Sequence, residues 1–311
     1  MKISTKIDRN KNKILIFGAN GFLGSNIIQL RSKNELIYRD FSFIAADLHN
    51  NYIDKDVPYY HIDITHQEEV YKHIVSLSPD IIVLTAAMTN VDQNEKDKQL
   101  ATKINVEGPK NVIKACKQID SKLIFMSTDF VFDGRNKGYY NEEDIPNPIN
   151  HYAKTKFDAE LAILNSDIDH LICRTAVLYG WNNEKLNFIT WILKQLQNKE
   201  RINIVTDQIN NPTYVRNLAE IILKLIEKKA SGIYHTAGDD ALSRYEIAIK
   251  CAEVFEHNKD LINPIGSLNQ VAVRPKNVSL NITKLKRFLG SELKCLSLLE
   301  GLKDMKNRRF L

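Results

Sequence analysis

Cysteine is scarce and scattered. The four residues, Cys116, Cys173, Cys251 and Cys295, form no CxxC pair and no Cys/His cluster. That spacing excludes a disulfide framework or a closed metal site as the organising feature, and the expected state is four reduced, mostly buried thiols. Long apolar runs are also missing, so no stretch approaches membrane-spanning length. The opening Met1–Lys13 is polar and charged, and the run Ile14–Phe17 stops at Gly18, too short for a signal-peptide core. These absences give a cytoplasmic expectation with no membrane partner. A basic stripe is absent too: the formal net charge is +5, but Lys and Arg interleave with Asp and Glu. Nucleic acid is therefore not an expected partner, whereas a small anionic ligand suits a mildly basic surface. No internal repeat or low-complexity linker divides the chain.

What is present is enough apolar material for a sizeable core: 43% of 311 residues are hydrophobic. Length alone permits two domains, or one large α/β domain with a smaller lobe. Short apolar runs at Lys13–Gly18, Phe43–Asp47, Asp80–Ala86, Lys122–Ser127 and His170–Thr175 read as strands covered on both faces. Between them, Ser25–Lys33, Gln67–Leu77, Gln99–Gln118 and His151–Ile163 have helix length. Alternation of this kind predicts right-handed crossovers and a doubly wound parallel sheet. After Tyr179 helical stretches and Pro-containing loops dominate. A second lobe is expected there, with a late strand or two from the Arg201–Val205 and Ile233–His235 regions joining the sheet.

The first strand runs into Gly18-Ala19-Asn20-Gly21-Phe22-Leu23-Gly24. In a dinucleotide-binding turn, Gly18 makes the sharp bend and Gly21 admits a pyrophosphate to the backbone. Gly24 lets the next helix pack closely, with its N-terminal N–H groups facing the phosphates. The GxxGxxG spacing differs from the common GxGxxG, and three glycines alone also describe a tight turn without ligand. Position after the first strand of a βαβ pattern favours the cofactor reading. Asp47 ends the second strand roughly 20 residues on, where a carboxylate holds the adenosine ribose and repels a 2′-phosphate. With no Arg directly following it, NADH is favoured and NADPH remains open; an ordinary solvated loop Asp is the alternative. Asp63 and Ile64, after a third strand, are placed at the adenine site.

Tyr152-Ala-Lys-Thr-Lys156 is the single YxxxK in the chain. Residues at i and i+4 share a helix face, and a Lys ammonium is expected to stabilise a phenolate and lower its pKa from ~10 toward neutrality. Alone, the pair also describes an exposed helix face. The strand Lys122–Ser127 leads into Thr128 and Asp129, and strand carboxyl ends line the ligand crevice of such a sheet. Thr128 can then donate to a substrate carbonyl while Tyr152 delivers a proton; a hydroxyl capping the strand end is the plain alternative. Asn105, on the preceding helix, is expected to anchor a water or kink that helix.

Together these motifs resemble an extended short-chain dehydrogenase/reductase with a Rossmann domain. Further segments narrow the resemblance: Ala86-Ala87-Met88-Thr89-Asn90-Val91-Asp92, Ser127–Gly134, Glu142–Pro146, Arg174–Gly180, Asp207-Gln208 with Pro212-Thr213, Gly232–His235 and Arg274-Pro275. From about residue 13 to 290 the chain is similar to the dTDP-4-dehydrorhamnose reductase family. The resemblance implies NAD(P)H-dependent reduction of a nucleotide-diphosphate 4-keto-6-deoxy sugar, with Tyr152 as proton donor, Lys156 as its activator and Thr128 orienting the carbonyl. It implies cofactor contacts from Gly18, Asn20, Gly21, Phe22, Leu23, Gly24, Asp47, Asp63, Ile64, Ala86, Ala87, Tyr152 and Lys156. Substrate contacts fall to Met88, Thr128, Asp129, Val177, Asn187, Phe188 and Pro212. A Rossmann domain over 1–180, its sheet completed by parts of 200–240, and a substrate-binding lobe over 181–311 follow, compatible with a homodimer and with no metal. Val177 stands where rhamnose-forming members carry Trp, and Met88 replaces an aromatic, which puts the sugar in question. Phe125–Leu164 also resembles the regulatory β-subunit of methionine adenosyltransferase, so a cofactor-binding regulatory subunit is one alternative. A nucleotide-sugar epimerase or dehydratase is another, although Phe130 follows Asp129 where a dehydratase is expected to place Glu.

Overall fold

The computed structural model describes residues 12–32, 41–49, 56–182, 185–268 and 270–308. The opening residues 1–11, and Lys33 at the end of the first expected helix, lie outside them. Six parallel strands come from the first part of the chain: β1 (Asn12–Phe17), β2 (Phe41–Asp47), β3 (Tyr59–His61), β4 (Ile81–Leu84), β5 (Lys122–Thr128) and β6 (His170–Thr175). A seventh, Gly232–His235, pairs with β6 in the register Ile233↔Ile172. The spatial order is Gly232–His235, β6, β5, β4, β1, β2, β3, so the chain reverses direction across the sheet between β1 and β4. That reversal opens a crevice at the carboxyl ends of these two strands.

The strands are apolar without alternation because each face has its own cover. On β1, Ile14 and Ile16 enter one core, shared with helices α1 (Phe22–Gln29) and, later in the chain, Val215–Glu227. Leu15 and Phe17 enter the other, beneath α2 (Gln67–Leu77) and Gly108–Ile119. The same division recurs on β4, where Ile81 and Val83 face one core and Ile82 and Leu84 the opposite one. A two-residue period on a doubly covered strand leaves no polar face, as a parallel sheet requires.

The helical stretch expected over Gln99–Gln118 is broken into three. After α3 (Val91–Lys96), which precedes it, these are α4 (Lys98–Thr102), a π-helical turn (Lys103–Glu107) and α5 (Gly108–Ile119). Asn105 lies within the π turn. Helix α6 spans His151–Leu164.

Of the two regions expected to lend the sheet a late strand or two, Gly232–His235 joins it. Ile202–Val205 pairs instead with Ile262–Ile265. The reason is packing: Ile202, Ile204 and Ile262 are buried in a third core with α7 (Phe188–Gln197), α9 (Arg244–Val254) and α11 (Leu298–Asn307), the helices numbered with Val215–Glu227 as α8 and Thr283–Leu289 as α10. All four cysteines are free and buried. No helix among the described residues is long and apolar enough to cross a membrane.

One ionic contact crosses the sheet–helix boundary in full burial. Arg174 on β6 and Glu160 on α6 are 2% and 0% exposed. Arg174 donates twice to the carboxylate, Nε to Oε1 at 3.1 Å and an Nη to Oε2 at 2.8 Å, and once to the Glu142 carbonyl at 3.3 Å. Removing one member leaves a buried charge unpaired. We expect Arg174→Met to cost about 3–5 kcal/mol in denaturant unfolding, while the double variant Arg174→Met with Glu160→Gln recovers much of it. A double variant as unstable as the single one would show that packing, not charge, sets the cost.

Candidate active site

The glycine turn sits at the carboxyl end of β1, where the chain reversal opens the crevice. Gly18 has φ +81°, a conformation that favours glycine, and a Cβ there would stand 2.5 Å from Thr85 Oγ1 and 2.7 Å from the Ala86 nitrogen. A Cβ on Gly24 would meet the Gly18 carbonyl at 2.2 Å, so α1 packs directly over the turn. Gly21, at the N-cap of α1, provides no side-chain cap, which leaves the first N–H groups of the helix to another acceptor. Leu23, on the inner face of α1, is buried, and Phe22 packs against the first core. The bare helix N-terminus and the close-packed turn fit a diphosphate.

Asp47 ends β2 beside this turn. Its carboxylate accepts from the Asn20 N–H at 3.0 Å and the His49 N–H at 3.1 Å, which ties the end of β2 to the glycine turn. Asn20 also donates from its amide to the His49 carbonyl at 2.9 Å. Asp63 accepts from the Thr65 N–H at 2.8 Å. Burial pushes its pKa up, but the Thr65 hydrogen bonds together with the charges of His66 and Lys103 hold it below the ordinary value. Ile64 turns its side chain into the second core, against Gly108, and its carbonyl accepts from Asn111. Ala86 and Ala87, half-buried, follow β4, with Ala86 packed directly against Gly18.

Thr128 closes β5. Its hydroxyl donates to Asp129 Oδ1 at 3.1 Å and accepts from the Phe130 N–H at 3.2 Å, which is the plain capping contact at a strand end. Asp129 is 3% exposed, and its other oxygen accepts from Asn210 Nδ2 at 2.6 Å. Burial raises the Asp129 carboxyl to about 6, held back by the hydrogen bonds from Asn210 and Thr128 and by the charge of Arg244.

Helix α6 brings Tyr152 and Lys156 to the same end of the sheet, starting from the Asn150 cap, whose side chain accepts from the Ala153 N–H. Asn105 fastens this helix to the end of β4. It accepts from the Met88 N–H at 2.8 Å and donates to the Met88 carbonyl, to Asn94 and to Thr155, each at 3.1 Å. The electrostatic balance differs from the expected one. Burial raises the Tyr152 phenol to about 12, with the nearby Thr128 hydroxyl opposing and the Asp129 charge adding to the rise. Lys156 is itself desolvated: it is 3% exposed and its ammonium lies 4.0 Å from the Phe125 ring centroid. Burial lowers it to about 7, against the attraction of Glu160 one helical turn away. Sequence reasoning did not weigh this desolvation, nor the role of Glu160; the i+4 spacing beyond Lys156 was the available signal.

The remaining expected substrate contacts are spread over the lobe side. Val177 is half-buried with φ +41°, a conformation that β-branched residues rarely enter and that costs of order 1–3 kcal/mol. Its carbonyl accepts from the Thr213 N–H at 3.1 Å. Asn187 caps α7 in a capping box with Thr190, and its amide donates to the Gly180 carbonyl at 2.7 Å. Phe188 stacks on Trp191. Pro212 is buried, with its carbonyl against Gly238. Asn210, two residues earlier, is the member of this loop that touches Asp129.

With this geometry in hand, known proteins supply the family. The sequence model described as the RmlD substrate binding domain matches residues 12–307. The chain belongs to this family. It is 31% identical over 294 residues to a dTDP-4-dehydrorhamnose reductase of Aggregatibacter actinomycetemcomitans, covering 89% of this chain and 93% of that protein. It is 30% identical over 295 residues to methionine adenosyltransferase 2 subunit beta of Mus musculus, covering 91% and 84%. Among solved structures, a Bacillus anthracis dTDP-4-dehydrorhamnose reductase in complex with NADP superposes with a TM-score of 0.83 at 32% identity, covering 96% of this chain and 99% of that one. The expected doubly wound fold and the family resemblance both hold.

The Lys156 environment gives a direct test. Because burial disfavours the ammonium and Glu160 favours it, Lys156 is cationic below about pH 7 and neutral above. A side-chain NMR titration of Lys156 is expected to show a midpoint near 7, moving lower still in the Glu160→Gln, Arg174→Met double variant. A midpoint near that of a free lysine, about 10.4, would show that the site is wetter than the packing implies.

Proposed function

We propose that the chain is a NAD(P)H-dependent ketoreductase acting on a nucleotide-linked 4-keto-6-deoxy sugar. The observation that carries this reading is the convergence of Thr128, Tyr152 and Lys156 at the carboxyl end of the sheet, beside a glycine turn that fits a dinucleotide. The dTDP-4-dehydrorhamnose reductase relatives support the substrate class. Gly18, Asn20, Gly21, Phe22, Leu23 and Gly24 would hold the diphosphate and Asp47 the adenosine ribose. Asp63, Ile64, Ala86 and Ala87 would line the adenine and nicotinamide approaches, and Lys156 would reach the nicotinamide ribose. The bound reduced cofactor supplies a hydride to the carbonyl carbon. Thr128 orients the carbonyl oxygen, and Tyr152, kept protonated by its burial, gives its proton to that oxygen as charge develops there. Lys156 in its ammonium form supplies positive charge on the same helix face and helps restore the proton.

In this reading residues 1–180 carry mainly the cofactor and 181–311 mainly the sugar nucleotide, with Met88, Asp129, Val177, Asn187, Phe188 and Pro212 around the hexose. Asp47 favours NADH, since a carboxylate at this place repels a 2′-phosphate. A cytoplasmic setting suits a nucleotide-sugar substrate. The second reading, a subunit attached to a methionine adenosyltransferase, is favoured by the beta-subunit relatives at nearly equal identity.

Purified wild type is expected to reduce one or more dTDP-, UDP- or GDP-linked 4-keto-6-deoxy sugars, with kcat/KM higher for NADH than for NADPH. Tyr152→Phe should lower kcat by roughly 10²–10⁴ while cofactor affinity stays unchanged. Near-wild-type turnover in that variant would remove Tyr152 from the chemistry. No turnover of any sugar by wild type would move the assignment to the subunit reading, and an NADPH preference would overturn the role given to Asp47.

A further inference from the structure

Arg244 is brought to the active-site floor by a short chain of contacts that starts at the catalytic strand. Asp129, next to Thr128, accepts from Asn210. Asn210 and Ile209 pair antiparallel with Leu242 and Ser243. The Arg244 N–H then donates to the Gln208 carbonyl at 3.0 Å, and Ser243 caps helix α9 in a capping box with Glu246. The backbone of Arg244 is therefore fixed, and its guanidinium lies 4.8 Å from the ring centroid of Phe188, within electrostatic reach of Asp129 and Arg274.

That guanidinium is half-buried and has five N–H donors, yet among the described residues it makes no hydrogen bond and no ion pair. The other arginines around the site are engaged. Arg274 donates to Asp92 at 2.8 Å and to the Ala272 carbonyl at 2.6 Å. Arg174 is held by Glu160. Asp129 is near Arg244, but its two oxygens already accept from Thr128 and Asn210. A stacked, partly desolvated guanidinium with its donors uncommitted is the arrangement that suits a planar or branched oxyanion.

We propose that Arg244, resting on Phe188, binds the diphosphate of the nucleotide-linked substrate. This rests on the ketoreductase reading, under which the sugar and the base are neutral and the diphosphate is the anion the substrate brings. Because the contact is to phosphate oxygens, it is blind to the base, so dTDP, UDP and GDP are all expected to depend on Arg244. Phe188 keeps the guanidinium plane open by occupying one of its faces. The contact is a positioning one: it sets where the hexose meets Thr128 and Tyr152 and takes no part in proton or hydride transfer.

The test is calorimetric titration of the cofactor-loaded full chain with dTDP, UDP, GDP and thymidine, in wild type, Arg244→Met and Arg244→Lys. Met retains an apolar side chain over Phe188 without charge. The expected result is a dissociation constant for each nucleoside diphosphate raised about 10–100-fold in Arg244→Met, the usual worth of charged hydrogen bonds. Arg244→Lys should recover part of it, and cofactor affinity should not change. Equal weakening of thymidine and dTDP would mean that Arg244 only shapes the lobe, and would overturn the proposal. Unchanged diphosphate affinity in a folded Arg244→Met, or no diphosphate binding by wild type, would overturn it too. Arg244-dependent diphosphate binding without turnover of any keto sugar would uphold the site and overturn the ketoreductase reading instead.

Discussion

A full charge in a dry interior must be paired, and the bidentate contact between Arg174 and Glu160 meets that requirement at the point where helix and sheet join. Helix α6 holds Tyr152, Lys156 and Glu160 at successive turns of one face, so fixing Glu160 to β6 fixes the other two. The same carboxylate is the anion that favours the ammonium of Lys156 against its burial. Structural pairing and electrostatic support of the site thus come from one side chain. Asn105 secures the same helix through Thr155, while holding the Met88 backbone at both its N–H and its carbonyl. The π turn that carries Asn105 is the local backbone deviation that lets its amide reach these partners.

The buried site has a mixed electrostatic character. Tyr152 and Asp129 are pushed upward and Lys156 downward, all by desolvation before any specific neighbour. A phenol that keeps its proton suits donation to a nascent alkoxide, the direction of ketone reduction. A lysine poised near neutrality can carry either charge state with modest expenditure of free energy, and Glu160 tilts it toward the ammonium. The lobe contributes Asn210 to Asp129, so the surroundings of Thr128 are assembled from both parts of the chain.

Local features of this fold were legible in the sequence. The glycine turn after β1, the uninterrupted apolar strands and the YxxxK pair are encoded within a few residues, and one topological rule places Thr128 and Tyr152 together. Partners chosen across long separations were not legible. Ile202–Val205 has the composition of a sheet strand, but its pairing with Ile262–Ile265 depends on a third core formed by three distant helices. Arg244 stands in an unremarked Ser-Arg-Tyr sequence, and its meaning comes from Phe188 and Asp129, 56 and 115 residues away in sequence. The expected lowering of Tyr152 by Lys156 missed the desolvation of both groups, a quantity that spacing does not contain.

The central claim is that hydride and proton meet at one carbonyl held between the glycine turn and α6. It is tested most directly by single turnover of a nucleotide-linked 4-keto-6-deoxy sugar with cofactor dideuterated at nicotinamide C4, followed by NMR of the product. Deuterium bonded to C4 of the hexose, in place of the former carbonyl, is the predicted result. Deuterium at another sugar carbon, or product formed with none transferred from the cofactor, would contradict it.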